Sequence, residues 1–283
     1  MSSSTPSGQP NYHQDPSGSR SHPVDGLHGS GQPEHWQERA ASFQKIGSDY
    51  EKYRPDQPDE VTAWMIGQAH GVLDLGAGTG KITDSLIRLG RTVTAVDPSA
   101  SMMAELAAKH PQVPCLAGTG EDIPLLDHSI DAVVVGSAWH WMDAERTGAE
   151  LARVLRPGGM LGLCWNGPDR SLGWVRALYS NPDGRPGGLQ IISRTHRPGH
   201  PSHGFGPLQQ RKFTYSREMT REEFHAEQAT HSSWILADEP TRARWTALVN
   251  QRLDHDPHTT GREVFEIPQQ VIAYRAELAN TTR

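Results

Sequence analysis

The sequence lacks long apolar runs, is poor in cysteine and carries no excess of positive charge. No stretch reaches the roughly 18 consecutive apolar residues of a membrane-spanning helix, and the first residues show no basic and apolar signal segment. The two cysteines, Cys115 and Cys164, are too few for a disulfide framework. A net charge of −6 argues against a general nucleic-acid binder. We therefore expect a reduced, cytoplasmic protein that partners neither a membrane nor a nucleic acid.

Apolar residues are scarcest at the start of the chain. Of the first 35 residues, 22 are serine, proline, glycine or histidine, which leaves too little apolar surface to offset the entropy of the chain. We expect residues 1–35 to form a disordered tail and residues 36–283 to form a single domain. Within that domain the sequence suggests a helical segment at 36–70, a core at 71–165 and a terminal part of helices and strands at 166–283.

Short apolar runs alternate with amphipathic stretches from residue 72 onward, which predicts βαβ units in an α/β fold with a mostly parallel sheet. Two late strand-like segments predict antiparallel additions at the sheet edge. Residues 156–159 are expected to form a tight turn, and Ser99 to cap a helix. The predicted strands are 72–75, 92–96, 113–116, 131–135, 160–165, 211–215 and 264–274; the predicted helices are 36–46, 59–69, 80–89, 144–155, 171–180, 220–229 and 239–253; a long loop is predicted at 181–207.

Three glycines, at positions 76, 78 and 80, follow the first predicted strand and precede a helix. Glycine lets the backbone approach a ligand closely, and the helix start adds N–H groups without partners. The loop therefore suits a polar or anionic ligand at the carboxyl end of the strand. Asp97, which closes the second strand, suits a ribose diol. A dinucleotide fingerprint would need a third glycine where Lys81 stands, so an NAD-dependent oxidoreductase remains only an alternative.

Four motifs, DLGAGTG, AVDPS, GTGEDIPL and LARVLRPGG, resemble those of class I S-adenosylmethionine-dependent methyltransferases, in particular the ubiquinone/menaquinone-type and trans-aconitate-type enzymes. The segment SDYEKYRP is similar to one that precedes the first strand in that group. The resemblance implies a Rossmann-like, seven-stranded sheet with an antiparallel last strand and helices on both faces. It also implies methyl transfer to an O-, N- or C-nucleophile of a small molecule, by in-line displacement in a desolvated pocket.

The same resemblance assigns roles to residues of this chain. Asp74 and the glycine loop would hold the methionine part of S-adenosylmethionine, Asp97 the ribose hydroxyls, and residues 119–121 the adenine edge. The core at 71–165 then binds the cofactor, and residues 166–283 face the acceptor. No metal site is expected. The expected cofactor-binding residues are Arg54, Asp74, Gly76, Ala77, Gly78, Gly80, Asp97, Pro98, Met102, Thr119, Gly120, Glu121 and Ser137.

The acceptor pocket is expected at the carboxyl end of the fourth strand, beside the glycine loop. His140 lies there between two tryptophans and is the candidate general base, although a histidine that only lines the pocket fits the sequence as well. The expected pocket walls are Trp139, Trp141, Trp165 and Asn166. A protein that binds S-adenosylmethionine or S-adenosylhomocysteine without transferring a methyl group, as a regulator or interaction partner, is the alternative function.

Overall fold

The computed structural model describes residues 52–180, 198–235 and 237–280, and the side chains of all of these except Ser232 and Ser233. The tail predicted at 1–35, the helix predicted at 36–46 and most of the loop predicted at 181–207 lie outside the described residues. In the described part of the chain, no helix combines the length and the apolarity needed to cross a bilayer.

Among the described residues, seven strands form one sheet with the spatial order β3-β2-β1-β4-β5-β7-β6. The first five strands pair in parallel, and β7 lies antiparallel to both of its neighbours. This confirms the predicted Rossmann-like sheet with an antiparallel last strand. The strands are β1 (Gly71–Leu75), β2 (Thr92–Val96), β3 (Cys115–Leu116), β4 (Ile130–Gly136), β5 (Leu155–Pro168), β6 (Gln209–Thr220) and β7 (Val264–Glu277).

Helices connect and cover these strands. Ser99 caps the third helix as expected, because its hydroxyl accepts a hydrogen bond from the Met102 backbone at 3.5 Å. A single turn of 3-10 helix, Trp139–Trp141, follows β4. The α-helices are α1 (Asp59–Ile66), α2 (Lys81–Arg88), α3 (Ala100–Lys109), α4 (Ala144–Val154), α5 (Gly173–Leu178), α6 (Arg221–Ala229), α7 (Ser232–Ile235) and α8 (Glu239–His255).

The segment 156–159, where a tight turn is expected, lies within the bounds of β5, at a shift in the register of its pairing with β4. Leu155 already pairs with Ile130, and pairing resumes where Met160 meets Ala132. The backbone N–H of Gly158 donates to the Leu278 carbonyl at 3.0 Å, so this segment is tied to the last strand. Four residues of β5 here lie opposite the single Asp131 of β4, and Gly158 has a φ of 77°, so the tight turn stays a prediction, now inside a longer strand.

The sheet separates two apolar cores because successive side chains of a strand point to opposite faces. Val72 of β1 packs with Met65 and Leu86 of α1 and α2. Leu73, the next residue, packs with Leu151 of α4 on the other face. All five side chains are fully buried. Because the strands are parallel, their carboxyl ends lie at the same edge of the sheet, where the loops after β1, β2, β4 and β5 meet.

A third apolar cluster joins α5, α6 and α8 to the end of the β6–β7 pair. Its centre is Phe224, which is fully buried and packs edge-on to Tyr179. Leu253 of α8 and Phe265 of β7 complete the contact. This helical cap follows β5 in the chain, so it belongs to the part of the sequence that we expected to face the acceptor.

Candidate active site

The glycine loop folds back onto the end of β2. Gly76, Gly78 and Gly80 all have positive φ angles, of 69°, 55° and 92°. The backbone N–H groups of Gly76 and Ala77 both donate to the Val96 carbonyl, at 2.8 and 3.2 Å. These bonds fix the loop against the neighbouring strand and leave its outer side to a ligand.

Gly76 also lies too close to the loop after β4 to carry a side chain. A Cβ atom built on Gly76 would lie 2.7 Å from Cβ of Ala138, which is a clash. A Cβ built on Gly78 would lie 3.6 Å from Sδ of Met102, which is ordinary contact distance. The absence of a side chain at Gly76 therefore allows the two loops to approach each other, and Met102 of α3 lies beside Gly78.

Asp97, in the motif AVDPS, connects this motif to the glycine loop, DLGAGTG. Its carboxylate accepts from the Gly78 N–H at 2.9 Å and from the Ser99 N–H at 2.8 Å, one bond to each oxygen. Burial raises the pKa of Asp97, and the two backbone hydrogen bonds oppose that shift. A carboxylate offers about four acceptor sites, so about two remain, which is the number that a ribose diol needs.

Asp74 is buried beneath the glycine loop. Its carboxylate accepts from the Thr83 hydroxyl at 2.7 Å, and burial raises its pKa to about 7. The Cys164 thiol, also fully buried, donates to the Gln57 side-chain oxygen at 3.1 Å, and its pKa rises to about 12 through burial and the nearby Asp74 charge. No local pattern in the sequence points to Thr83 or Gln57, because their contacts with Asp74 and Cys164 are tertiary.

The segment expected at the adenine edge forms a compact turn after β3. Thr119 and Asp122 exchange backbone hydrogen bonds at 3.2 and 3.3 Å. A Cβ on Gly120 would lie 2.8 Å from the Thr147 hydroxyl, so this turn packs directly on α4. Glu121 accepts from the Asp143 N–H at 2.7 Å, which ties the turn to the start of that helix. Pro98 is exposed, two residues before α3 begins at Ala100.

Aromatic side chains from the 3-10 turn after β4 and from β5 meet at the same edge of the sheet. The Trp165 indole N–H donates to Nδ1 of His140 at 3.4 Å, and the rings of His140 and Trp141 are 4.5 Å apart. Trp139 and Trp165 are buried, whereas Trp141 is 37% exposed. Ser137, with a φ of 53°, turns the chain toward this cluster and donates its N–H to Cys164. An indole N–H can only donate, so Nδ1 accepts, and a neutral His140 then carries its proton on Nε2.

Asn166 and Arg54 are engaged elsewhere than the glycine loop. Asn166 donates to the Asp56 carbonyl at 3.2 Å and accepts from the Tyr215 hydroxyl at 2.8 Å. Arg54 donates to the Thr230 carbonyl and to His231, both at 3.2 Å. The structure therefore brings Arg54 to the helical cap, and its contact with the cofactor stays a prediction.

The segment at 54–57 links the glycine loop to the helical cap. Asp56 forms an ion pair with Lys81, the first residue of α2, at 2.9 Å. Arg54, two residues earlier, reaches the end of α6. The segment therefore contacts the helical cap through Arg54 and the start of α2 through Asp56.

Comparison with known proteins agrees with this arrangement. Residues 73–163 match a methyltransferase domain family. An uncharacterized methyltransferase of Mycobacterium tuberculosis is 39% identical over 241 residues, which cover 84% of this chain and 96% of that protein. Another, from Schizosaccharomyces pombe, is 30% identical over 242 residues, covering 83% and 96%.

The chain is also similar to a further methyltransferase in sequence and to a solved structure in fold. A demethylmenaquinone methyltransferase of Mycolicibacterium paratuberculosis is 35% identical over 138 residues, which cover 43% of this chain and 59% of that protein. The structure of a candidate type II methyltransferase from Anaeromyxobacter dehalogenans shares the fold, with a TM-score of 0.58, 21% identity, and coverage of 80% of this chain and 99% of that chain. The chain therefore belongs to the class I S-adenosylmethionine-dependent methyltransferases.

Proposed function

We propose that the protein binds S-adenosylmethionine on the glycine loop and methylates a small-molecule acceptor held at the aromatic cluster of the 3-10 turn and β5. The observation that carries this proposal is the hydrogen bond from Gly78 to Asp97, because it brings the two motifs together at the carboxyl ends of β1 and β2. The family supports methyl transfer in general, and the acceptor class is the part that we add.

The residues around the loop fit this cofactor. Asp97 keeps acceptor sites for two hydroxyls. The buried hydroxyls of Thr79 and Thr147 have no hydrogen-bond partner among the described residues, and buried polar groups are normally satisfied. Asp74 and the glycines would hold the methionine part, Met102 and Pro98 would border the adenine, and Gly120 and Glu121 would support its edge.

S-adenosylmethionine, when bound, supplies an electrophilic methyl group on a sulfonium. The contribution of this chain is to position the acceptor and to exclude water, which favours a displacement that neutralises charge. Trp139 and Trp165 are buried walls suited to that task. His140, held through Nδ1 by Trp165, presents an N–H rather than a lone pair at Nε2. We therefore favour a lining role for His140 over that of general base.

Replacing Asp97 by alanine should weaken binding of S-adenosylhomocysteine by about tenfold or more, because hydrogen bonds to a charged group contribute about 1.5–3 kcal/mol. Titration calorimetry measures the loss. Asp127→Ala is the matched control, since that carboxylate is exposed and pairs with Arg153 at 2.9 Å on another part of the surface.

Transfer of labelled methyl to a panel of small acids, phenols and amines tests the reaction itself. Unchanged affinity in Asp97→Ala, or no transfer to any compound by a protein that binds the cofactor, would contradict the proposal.

Replacing His140 by phenylalanine should lower kcat/KM for the acceptor by less than about tenfold, mainly through KM. His140→Gln should restore most of it, because the glutamine oxygen can accept the Trp165 N–H. The pH profile of kcat is expected to keep its shape in both variants. A fall in kcat of about 100-fold or more together with loss of a pH-dependent limb would instead establish a general base.

A further inference from the structure

Ser137, directly after β4, has a backbone conformation that serine rarely adopts. In the part of the chain that the structure describes, three residues other than glycine have a positive φ angle: His128 at 50°, Ser137 at 53° and His203 at 64°. Glycine adopts this left-handed conformation freely, whereas any side chain is strained in it. Keeping a side chain at position 137 therefore has a cost, which a function of that side chain would explain.

The two histidines use their side chains within the protein, and Ser137 does not. Nδ1 of His128 lies 2.9 Å from the Leu155 carbonyl oxygen, and Nδ1 of His203 lies 3.1 Å from the Ser202 hydroxyl. The Ser137 hydroxyl forms no hydrogen bond with any described residue. Because Ser137 is half-buried rather than sealed in the interior, a bound molecule can reach this hydroxyl and become its partner.

Ser137 lies between the glycine loop and the aromatic cluster. A Cβ built on Gly76 would lie 2.7 Å from Cβ of Ala138, the next residue along the chain, so Ser137 is one residue away from contact with the loop. Its own N–H donates to the carbonyl of Cys164 at 2.8 Å, and Cys164 immediately precedes Trp165 of the cluster. Ser137 is therefore placed where the proposed cofactor and acceptor halves of the site meet.

The chemistry of a hydroxyl at this position limits which atom of the acceptor it can orient. A serine hydroxyl both donates and accepts hydrogen bonds. When it accepts, it holds the hydrogen of an O–H or N–H group and leaves the lone pair of that oxygen or nitrogen free to attack a methyl group. A carbon nucleophile offers only C–H groups, which are much weaker donors. The hydroxyl of Ser137 is thus suited to an acceptor whose nucleophile is oxygen or nitrogen.

We propose that the Ser137 hydroxyl accepts a hydrogen bond from the nucleophilic atom of the methyl acceptor, and that this atom belongs to a hydroxyl group or an amine. The inference rests on the proposed function, because it places the acceptor between the glycine loop and the aromatic cluster. It assigns Ser137 to the acceptor, whereas the family resemblance assigns it to the cofactor. The buried walls Trp139 and Trp165 favour an acceptor that carries this group on a flat ring.

The test titrates the full-length protein, saturated with S-adenosylhomocysteine, with phenol and with toluene, two rings of nearly equal size of which only phenol carries an O–H group. Ser137→Ala removes the hydroxyl and keeps the backbone strain. The ratio of phenol affinity to toluene affinity should fall about three- to tenfold in this variant, the loss expected for one hydrogen bond. Ser137→Gly should lower the ratio to the same extent, yet be at least as stable in urea as the wild type, because it relieves the strain.

Ser129→Ala is the matched control, because Ser129 is a half-buried serine at the opposite end of β4, where its hydroxyl donates to the Leu126 carbonyl at 2.6 Å. It should change neither the ratio nor the affinity for S-adenosylhomocysteine by more than twofold. Ser137→Ala and Ser137→Gly should also keep their S-adenosylhomocysteine affinity within twofold, which shows that each is folded and that its cofactor site is intact.

Three outcomes would overturn the proposal. Neither phenol nor toluene binds; or the ratio is the same in the wild type and in both Ser137 variants, in which case water alone occupies the hydroxyl; or the ratio is unchanged while the affinity for S-adenosylhomocysteine falls about tenfold, in which case the hydroxyl belongs to the cofactor. Failure of the proposed function is distinguishable from all three, because the wild type would then not bind S-adenosylhomocysteine at all.

Discussion

Replacing Gly76 by alanine should abolish measurable binding of S-adenosylhomocysteine, with a loss of about 100-fold or more in affinity. The new Cβ would lie 2.7 Å from Cβ of Ala138, and neither atom belongs to a flexible side chain that can move away. The φ of 69° adds strain, since a left-handed conformation costs a non-glycine residue about 1–2 kcal/mol. Relief of the clash would move the loop off the end of β2, and overpacking of this kind costs about 1–3 kcal/mol.

Gly90→Ala is the control that isolates the close approach. Gly90 has a φ of 70°, nearly that of Gly76, but a Cβ built on it meets nothing within 4 Å. Both variants therefore share the backbone strain, and only Gly76→Ala has the clash. Calorimetric titration and urea unfolding of the two proteins measure the difference. Equal losses of affinity would show that the contact with the loop after β4 does not shape the cofactor site.

Replacing Asp74 by asparagine should stabilise the cofactor-free protein at pH 8 and weaken cofactor binding. Burial raises the pKa of Asp74 from 3.8 to about 7, so the folded protein binds a proton that the unfolded chain has lost. Stability attributable to this group therefore falls as the pH rises from about 4 to about 7. The full shift of about 3 units corresponds to an upper bound of about 4 kcal/mol, which asparagine would recover.

The measurement is the free energy of unfolding between pH 5 and pH 8. Asp131→Asn is the control, because its expected effect on stability at pH 8 is opposite to that of Asp74→Asn. Hydrogen bonds from the Gly71 backbone and from Arg156 hold the pKa of Asp131 below its usual value. Its loss should therefore destabilise the protein at pH 8. Cofactor affinity of Asp74→Asn should fall about tenfold or more, because the carboxylate that we propose holds the methionine part of the cofactor is lost. An Asp74→Asn protein that keeps the pH slope of the wild type would contradict the buried-acid assignment.

The order and type of the elements followed from apolar periodicity, but the length of the outer strands did not. β2 begins and ends where the pattern predicted, because its apolar run is covered on both faces. β6 was predicted at 211–215 and extends over Gln209–Thr220. Most of its additional residues are polar and exposed, and twelve consecutive pairings with β7 hold them in the sheet. Backbone pairing of that kind leaves no mark in the side-chain pattern.

Some residues of the candidate site could be predicted from local motifs, and others could not because long-range contacts position them. Gly78 and Asp97 could be identified because each lies in a short motif directly after a strand, where position in the sheet determines position in the site. Arg54 contacts residues 176 and 177 positions further along the chain, so its place in the helical cap could not be predicted from local pattern. Tyr215, which holds Asn166, was missed for the same reason.

The burial of Cys164 has a consequence for the redox chemistry of the enzyme. Only a thiolate reacts readily with peroxides and electrophiles, and with a pKa of about 12 the Cys164 thiol is ionised in about one molecule in 10⁵ at pH 7. Cys164 is buried on the face of the sheet that α1 and α2 cover, where its thiol bonds to Gln57, so reagents reach the sulfur only when that covering layer moves away. Oxidation or alkylation at this position therefore reports how often the covering layer separates from the sheet, and the thiol can be used to measure that opening.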